Sequence, residues 1–221
     1  MIVGGGVIRL NVEPRFGVLK VGLNQAYTYG KKDSHVDVTY LRCNGTLELN
    51  GYDNFIANGC KIYVKRGGRL SICGNLLLQN HNKIHCANSI TIGKYTRISW
   101  ESQIFDTNMH YLVDENGYVK NNKGCILIGN NCWIGNRCTI QKGTILPDNT
   151  VVASNSVVNK DFTSQPYGIL AGIPAKLIKT GCKRIFDSGI ERHINKYFQE
   201  HPQITKFNIY EIDNMILIDR T

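Results

Sequence analysis

The feature that most constrains the fold of this chain is a run of aliphatic residues spaced six positions apart. The run comprises Ile128, Ile134, Ile140, Leu146, Val152 and Val158. Four residues after each of these lies a second position, which holds Cys132, Cys138, Thr144, Thr150, Ser156 and Phe162. All of these residues except Phe162 are small. The spacing matches neither the period of about 3.6 residues of a helix nor that of about 2 of a strand. It predicts a solenoid whose coils have three six-residue sides and bury the aliphatic positions in a continuous column.

The same rhythm extends upstream with one change of phase. Ile92, Ile98 and Ile104 are in step with the later run, with Thr96 and Ser102 at the small positions. An earlier set is offset by two residues and comprises Ile72, Leu78, Ile84 and Ile90. The offset predicts a bulge or a longer bend near residues 90–92. Ile56 and Ile62 are also in step, whereas residues 1–55 show only short alternating stretches, at 36–39 and 46–49, and are predicted to form irregular early coils.

Residues 105–127 break the rhythm. This segment is polar and contains Gly117 and His110. It lies between the aliphatic residues Ile104 and Ile128, which are four repeat lengths apart (128 − 104 = 24). It is therefore predicted to be a loop extruded from one coil, with the coils on either side in register. A long loop in a compact array is often functional.

The rhythm ends after Lys160, and the remaining sequence predicts different structure. Residues 166–180 are predicted to cap the solenoid, because the ends of a solenoid need covering. Helical spacing follows over 183–200, with Ile185, Ile190, Ile194 and Tyr197 or Phe198 on one side. The stretch 204–218 suggests one or two strands. The expected organisation is a β-helix domain over 1–180 and a small α/β appendage over 181–221.

Composition narrows the class of protein. Hydrophobic residues make up 42% of the chain, enough for a core, yet the longest apolar runs are far shorter than the roughly 20 residues of a membrane span. The start of the chain lacks the pattern of a secretory signal, so a cytoplasmic protein is expected. Eight cysteines occur without a Cys-x-x-Cys motif and are predicted to be free, buried thiols. The net charge of +9 suits anionic partners, although no nucleic-acid reader motif is present and no nucleic acid is expected.

Three motifs carry a resemblance to a known family: Ile128-Gly-Asn-Asn-Cys-Trp-Ile-Gly-Asn-Arg-Cys-Thr-Ile, Val157-Val-Asn-Lys-Asp and Ala171-Gly-Ile-Pro-Ala-Lys. In this order they resemble the hexapeptide-repeat acyltransferases, in particular the maltose and galactoside O-acetyltransferases and the acetyltransferases of polysaccharide gene clusters. The resemblance covers roughly residues 70–180. It implies an all-β, left-handed parallel β-helix, a homotrimer, acetyl-CoA as co-substrate, no metal, and an active site shared by two subunits.

The resemblance also implies roles for residues near the acceptor. His110 matches the catalytic histidine of the family, and a histidine suits the role of general base because its pKa is close to neutrality. Asn82 resembles an asparagine that contacts the acceptor. Asp106 is expected to bind a sugar hydroxyl or to orient His110, and Trp100 is expected to stack on a sugar ring or on its neighbours.

Seven further residues match cofactor positions of the family. Trp133 and Asn136 correspond to the thioester end of CoA, and Ser154 and Asn159 to the pantetheine arm. Lys160, Lys176 and Lys179 correspond to cations near the CoA phosphates. The chain departs from the pattern in having Asn136 where the sugar enzymes often have serine, and in a longer segment between Lys160 and Gly-Ile-Pro.

Alternatives remain open at this point. The acceptor could be a carbohydrate hydroxyl, which the resemblance favours, or an amino sugar, a serine or an antibiotic. A metal-dependent enzyme resembling γ-type carbonic anhydrases would need three histidines, for which His81, His85 and His110 are available. A non-catalytic binding solenoid is a third class. A cysteine acyl-enzyme is conceivable through Cys86 or Cys125, whereas Cys132 and Cys138 are predicted to be inert core residues.

Overall fold

A computed structural model describes residues 2–23 and 37–211 of the chain. The chain divides into two compact units, Met1–Arg184 and Ile185–Thr221. The first unit winds as a parallel β-helix with three strands in each complete coil. We call the sheets formed by the first, second and third strands of the coils sheets A, B and C.

The strands follow one another coil by coil. The first four coils hold β1 (Ile2–Val3), β2 (Val7–Leu10) and β3 (Leu19–Leu23); β4 (Tyr40–Cys43), β5 (Thr46–Leu49) and β6 (Asn54–Ala57); β7 (Lys61–Val64), β8 (Arg69–Ile72) and β9 (Leu77–Leu78); and β10 (Lys83–Cys86), β11 (Ser89–Ile92) and β12 (Arg97–Ile98). The later coils hold β13 (Gln103–Phe105), β14 (Ile126–Ile128) and β15 (Trp133–Ile134); β16 (Thr139–Gln141), β17 (Ile145–Leu146) and β18 (Val151–Val152); and β19 (Val157–Val158) and β20 (Ile169–Gly172).

The six-residue rhythm is confirmed as an inward-facing column. All six aliphatic residues from Ile128 to Val158, and all six residues at the second position, are at most 1% exposed. The pairing keeps like positions in line: in sheet A, for example, Ile84 pairs with Ile104, which pairs in turn with Ile140. Each coil thus buries one aliphatic layer on the next. Burial of such side chains contributes about 1.5–3 kcal/mol apiece, which makes the column the main source of stability.

The sequence predicted a bulge or a longer bend near residues 90–92, and no bulge is present there. These residues belong to β11, where Ile90 pairs with Ile126, Ile92 pairs with Ile128, and the register is unbroken. Both isoleucines are buried. The phase changes because the sheet B side of the upstream coils presents two inward residues, as Leu70 and Ile72 also do in β8. A longer side moves the count by two without distorting the strand.

The early part of the chain is more regular than the sequence suggested. The strands β1–β6 lie in parallel register with the coil that follows, with one irregularity between Val21 and Leu23. Residues 46–49 form β5. Residue 36 of the stretch 36–39 lies outside the described residues.

The solenoid ends in a hairpin where the sequence predicts a cap. The strand β20 pairs with β18, and a further strand, β21 (Ala175–Lys179), folds back antiparallel to it. Leu170 and Ala175 are buried, so the hairpin covers the last layer of the column.

The second unit contains one helix, α1 (Ser188–Glu200), in its described part. It begins five residues later than the predicted 183–200, because the Asp187 carboxylate caps it by accepting from the Gly189 and Ile190 N–H groups at 2.7 and 2.9 Å. Strands predicted over 204–218 are not observed at Ile209–Glu211, where the chain forms a 3-10 turn, and residues 212–221 lie outside the described part. No helix in 2–23 or 37–211 is long and apolar enough to cross a membrane.

Candidate active site

The extruded loop spans residues 106–125 and is an irregular hairpin. The predicted bounds, 105–127, were slightly too wide, since β13 includes Phe105 and β14 begins at Ile126. Antiparallel bridges join Thr107 to Lys123 and Val113 to Val119. At the tip, the Asp114 carboxylate accepts from the N–H groups of Asn116 and Tyr118 at 3.0 and 2.9 Å. Hydrogen bonds within the hairpin thus hold its outer part, where residues 108–121 are all exposed.

His110 lies exposed in this loop, and its side chain borders a cavity of about 420 Å³. Its backbone N–H donates to the Asn108 carbonyl at 2.7 Å. The cavity is also lined by Asn108, Leu112, Val113, Asp114, Tyr118, Lys120, Asn121, Asn122 and Lys142. The imidazole is accessible to a substrate, and most of the residues that line the cavity have polar side chains. This arrangement suits a group that exchanges protons with a bound molecule.

Lys142 is a member of this site that the sequence reasoning missed. Its ammonium group donates to the Asn121 carbonyl at 2.9 Å and ties the loop to the next coil. The repeat itself indicates its position. Lys142 precedes Lys160 by 18 residues (160 − 142), the length of one coil, so the two lysines occupy the same corner of successive coils.

Asp106 does not have the predicted role. It is 0% exposed, and its two carboxylate oxygens accept from the backbone N–H groups of Ala87 and Asn88, each at 2.7 Å. A carboxylate engaged in this way can neither meet a sugar hydroxyl nor orient His110. It holds the turn of the preceding coil and anchors the start of the loop.

Asn82 is also a structural residue and not an acceptor contact. Its side chain is 1% exposed. The amide nitrogen donates to the Gln79 carbonyl at 2.7 Å, and the amide oxygen accepts from the Ser102 N–H at 2.8 Å. Both ends of the amide thus satisfy backbone groups at a coil corner.

The two tryptophans are partly exposed. Trp100 lies in the turn between β12 and β13 and is 41% exposed. Trp133 lies on the outward face of β15 and is 40% exposed, with its indole N–H 3.4 Å from the Ser99 hydroxyl. The guanidinium of Arg184 lies 5.5 Å from its ring centroid. Both rings are available to a ligand.

Asn136 and Ser154 meet at the corner between sheets C and A. The Ser154 hydroxyl donates to the Asn136 amide oxygen. Gly135 makes this approach possible, because a Cβ there would lie 2.7 Å from the Ser154 nitrogen. Two of the predicted cofactor residues are therefore in direct contact on neighbouring coils.

The remaining cofactor candidates are exposed and more dispersed. Asn159 and Lys160 lie at the corner between sheets A and B, and Lys176 and Lys179 lie on β21 of sheet C. The Lys160 ammonium lies 5.1 Å from the Phe162 ring centroid. Within 2–23 and 37–211, no hydrogen bond or ion pair joins His110 to any of the seven predicted cofactor residues. In a single chain the loop with His110 leaves the same corner that holds Asn159 and Lys160, whereas the other five cofactor candidates lie on sheet C or at its corner with sheet A.

The cysteines are free thiols, as predicted, but not all are buried. Five are buried, Cys73 and Cys182 are half-buried, and Cys125 is exposed. Burial raises the pKa of Cys132 to about 12, and burial together with the Asp106 carboxylate raises the pKa of Cys86 to about 12. Thiols held in the neutral form are poor nucleophiles, so neither suits an acyl-enzyme.

The three histidines of the metal alternative lie in unrelated surroundings. The imidazole of His81 lies 3.2 Å from the Asp37 carboxylate. The ring of His85 packs edge-on against Tyr63, and burial, followed by the positive charge of Lys65, lowers its pKa. In the part of the chain that the structure describes, no three His, Cys, Asp or Glu side chains gather in a way that could hold a metal ion.

Comparisons with known proteins agree with this architecture. The family model for the bacterial transferase hexapeptide (six repeats) matches residues 126–160. The polysialic acid O-acetyltransferase OatWY is similar in structure, with a TM-score of 0.56, 22% identity and coverage of 89% of this chain and 99% of that one. The polySia-specific acetyltransferase NeuO has a TM-score of 0.53, 16% identity and coverage of 91% and 98%. No curated protein sequence matches the chain. The chain therefore carries the bacterial transferase hexapeptide repeat and has the left-handed parallel β-helix fold of the hexapeptide-repeat acetyltransferases, as its sequence predicted.

Proposed function

We propose that the protein is an acetyl-CoA-dependent O-acetyltransferase that acts on a hydroxyl of a carbohydrate, with His110 as the general base. The observation that carries the proposal is the position of His110. Its exposed side chain borders a cavity of about 420 Å³ in the loop that leaves the hexapeptide-repeat wall. OatWY and NeuO, which share the fold, are acetyltransferases acting on polysialic acid, and this likeness supports a saccharide acceptor.

Acetyl transfer from a thioester to a hydroxyl requires the protein to position the two substrates and to transfer a proton. The imidazole of His110 takes the proton of the acceptor hydroxyl while the oxygen attacks the thioester carbonyl. The new C–O bond forms, the C–S bond breaks, and the CoA sulfur leaves and receives the proton from the imidazolium. The neutral imidazole serves the first step and the imidazolium the second, and histidine suits both because its ordinary pKa lies near neutrality.

We further propose that the active unit is a homotrimer in which two copies complete each site. In one chain, the loop with His110 leaves the corner between sheets A and B. Trp133, Asn136 and Ser154 lie on sheet C and at the corner between sheets C and A. A second copy can bring its loop to these residues, which would then line the thioester and the pantetheine arm.

The phosphates of CoA are assigned to lysines. Lys160, Lys176 and Lys179 are exposed and would act as point charges for the phosphate groups. Eight free thiols are consistent with a reducing compartment, and we place the protein in the cytoplasm, where acetyl-CoA would be at hand.

The test is the variant His110→Ala. We expect its turnover to fall by about 10²–10⁴-fold, the usual effect of losing a general base, with the KM for acetyl-CoA unchanged. Free CoA thiol release is measured with a panel of saccharide, amino sugar and amino acid acceptors. The matched control is His193→Ala, which removes an exposed histidine of α1 and should leave turnover unchanged. Turnover close to that of the wild type in His110→Ala would end this assignment.

A further inference from the structure

The outward face of sheet A in coils two to five differs from the rest of the wall. Its side chains lie in two columns, because Tyr40, Lys61 and Lys83 are in register, and so are Arg42, Tyr63, His85 and Phe105. All seven of these residues line a cavity of about 390 Å³, and together they define what we call the basic aromatic face.

The charges on the basic aromatic face are uncompensated. Lys61 and Lys83 are exposed and stand directly opposite each other on adjacent strands. Like charges in that position repel and destabilise a sheet. Neither lysine, nor Arg42, forms an ion pair with any residue of 2–23 or 37–211, and no Asp or Glu of those ranges lines the cavity. A bound anion would relieve this repulsion.

The rings supply an apolar floor between the charges. Tyr63 and His85 pack edge-on with centroids 5.2 Å apart, His85 and Phe105 follow at 6.5 Å, and the Arg42 guanidinium lies 5.4 Å from the Tyr63 centroid. The apolar side of a sugar ring packs well on such a floor, whereas its carboxylate needs cations at the rim. The half-buried rings of Tyr63 and Phe105 are less suited to the free stacking that single-stranded nucleic acids use.

The face is longer than one sugar. Its four strands span about 14 Å at the usual strand spacing. A second cavity, of about 410 Å³, shares Tyr63 and adds Lys65 and Arg66 at the corner between sheets A and B. At the other end, Phe105 is the last residue of β13, and the loop with His110 begins at the next residue. The basic aromatic face therefore leads to the base of the candidate catalytic loop.

We propose that the basic aromatic face binds an anionic oligosaccharide and holds the acceptor for acetyl transfer. This inference rests on the proposed function and specifies its acceptor as a polymer of acidic sugars. Lys61, Lys83 and Arg42 bind the carboxylates, and Tyr63 and Phe105 contact the sugar rings.

The experiment measures binding of a short sialic acid oligomer to the full chain without acetyl-CoA. The variant Lys61→Gln/Lys83→Gln should weaken binding by about tenfold or more, because it removes charge-assisted contacts. Its thermal midpoint should not fall, since the repulsion between the two lysines is also removed, and this shows that the variant is folded. The matched control is Lys20→Gln/Lys94→Gln, which removes the same charge from exposed lysines outside sheet A and should bind like the wild type. A neutral maltooligosaccharide of equal length should not bind.

Several outcomes would overturn the inference. If both double variants bound the oligomer equally weakly, the loss of affinity would be due to the overall charge of the chain and not to the basic aromatic face. A single-stranded oligonucleotide that binds at least as tightly, and loses affinity in Lys61→Gln/Lys83→Gln alone, would identify a nucleic-acid site instead. Thiol release with a neutral acceptor that this variant leaves unchanged, together with no oligomer binding, would refute the inference and leave the proposed function standing. Oligomer binding without thiol release from any acceptor would refute the proposed function and leave the face as a binding site.

Discussion

The β-helix column and the loop of 106–125 meet at Asp106, and the same types of apolar residue are buried in the column but exposed in the loop. In the later coils, Leu146 is 1% exposed, whereas Leu112 in the loop of 106–125 is 80% exposed. Tyr111 and Val113 are likewise 63% and 66% exposed. Hydrophobicity alone does not decide which leucine is buried; its place in the six-residue rhythm does. The column supplies the stability of the protein, and the exposed outer part of the loop, residues 108–121, carries the proposed base.

The largest expected effect on stability separates the two regions. Ile134→Ala removes a fully buried member of the column and should lower the free energy of unfolding by about 2–5 kcal/mol. The control Leu112→Ala, in the loop, should change it by no more than about 0.5 kcal/mol. Urea unfolding followed by circular dichroism measures both values. Similar losses in the two variants would show that the loop is packed after all.

The boundary between the regions should give an intermediate effect. Asp106→Asn replaces a buried acceptor of two backbone N–H groups and should cost about 1.5–3 kcal/mol, the range for hydrogen bonds to a charged group. The control Asp114→Asn changes a carboxylate that also accepts two backbone N–H groups but is exposed, and should cost much less. An Asp106→Asn protein with wild-type stability that fails only in acetyl transfer would restore the substrate role that the structure denies.

The smallest effect is a difference in reactivity without a change in stability. Iodoacetamide at pH 8 should modify Cys125 first, since this thiol is exposed at the end of the loop. Cys132 should stay unmodified in the folded protein, because burial raises its pKa to about 12 and keeps it protonated. Mass spectrometry of the digested protein reports each site, and Cys125→Ser is the control that removes the fast reaction. Rapid modification of Cys132 would mean that the coil opens.

Most of the column could be predicted from sequence because each coil repeats the same packing requirement. The same packing requirement explains why the substrate roles predicted for Asn82 and Asp106 are wrong. Asn82 stands four residues after Leu78 and therefore occupies the small inward position held one coil later by Ser102. Asp106 stands two residues after Ile104, in the inward position held by Cys86 in the coil before. Position in the repeat, rather than residue type, indicated that both are buried.

Other features depend on lengths that vary from coil to coil. Upstream, the sheet A side and the sheet B side each carry two inward residues, so the coil from Ile62 to Ile84 (84 − 62 = 22) is longer than the coil from Ile140 to Val158 (158 − 140 = 18). The pairing of Lys61 with Lys83 on adjacent strands can be predicted only when the length of that coil is known. The separation of His110 from Trp133 likewise depends on the position of each around the coil, and a six-residue count does not distinguish these positions without the register.

The hairpin at the end of the solenoid also limits how the molecule can associate. A parallel β-helix that stopped at β20 would present an open sheet edge on which the coil of another copy could continue the same register. β21 reverses the strand direction at that edge and places the exposed Lys176 and Lys179 along it. Reversed direction and charged edges are means by which β-proteins avoid edge-to-edge growth. At sheet C the hairpin therefore opposes the edge-to-edge growth of one copy on another.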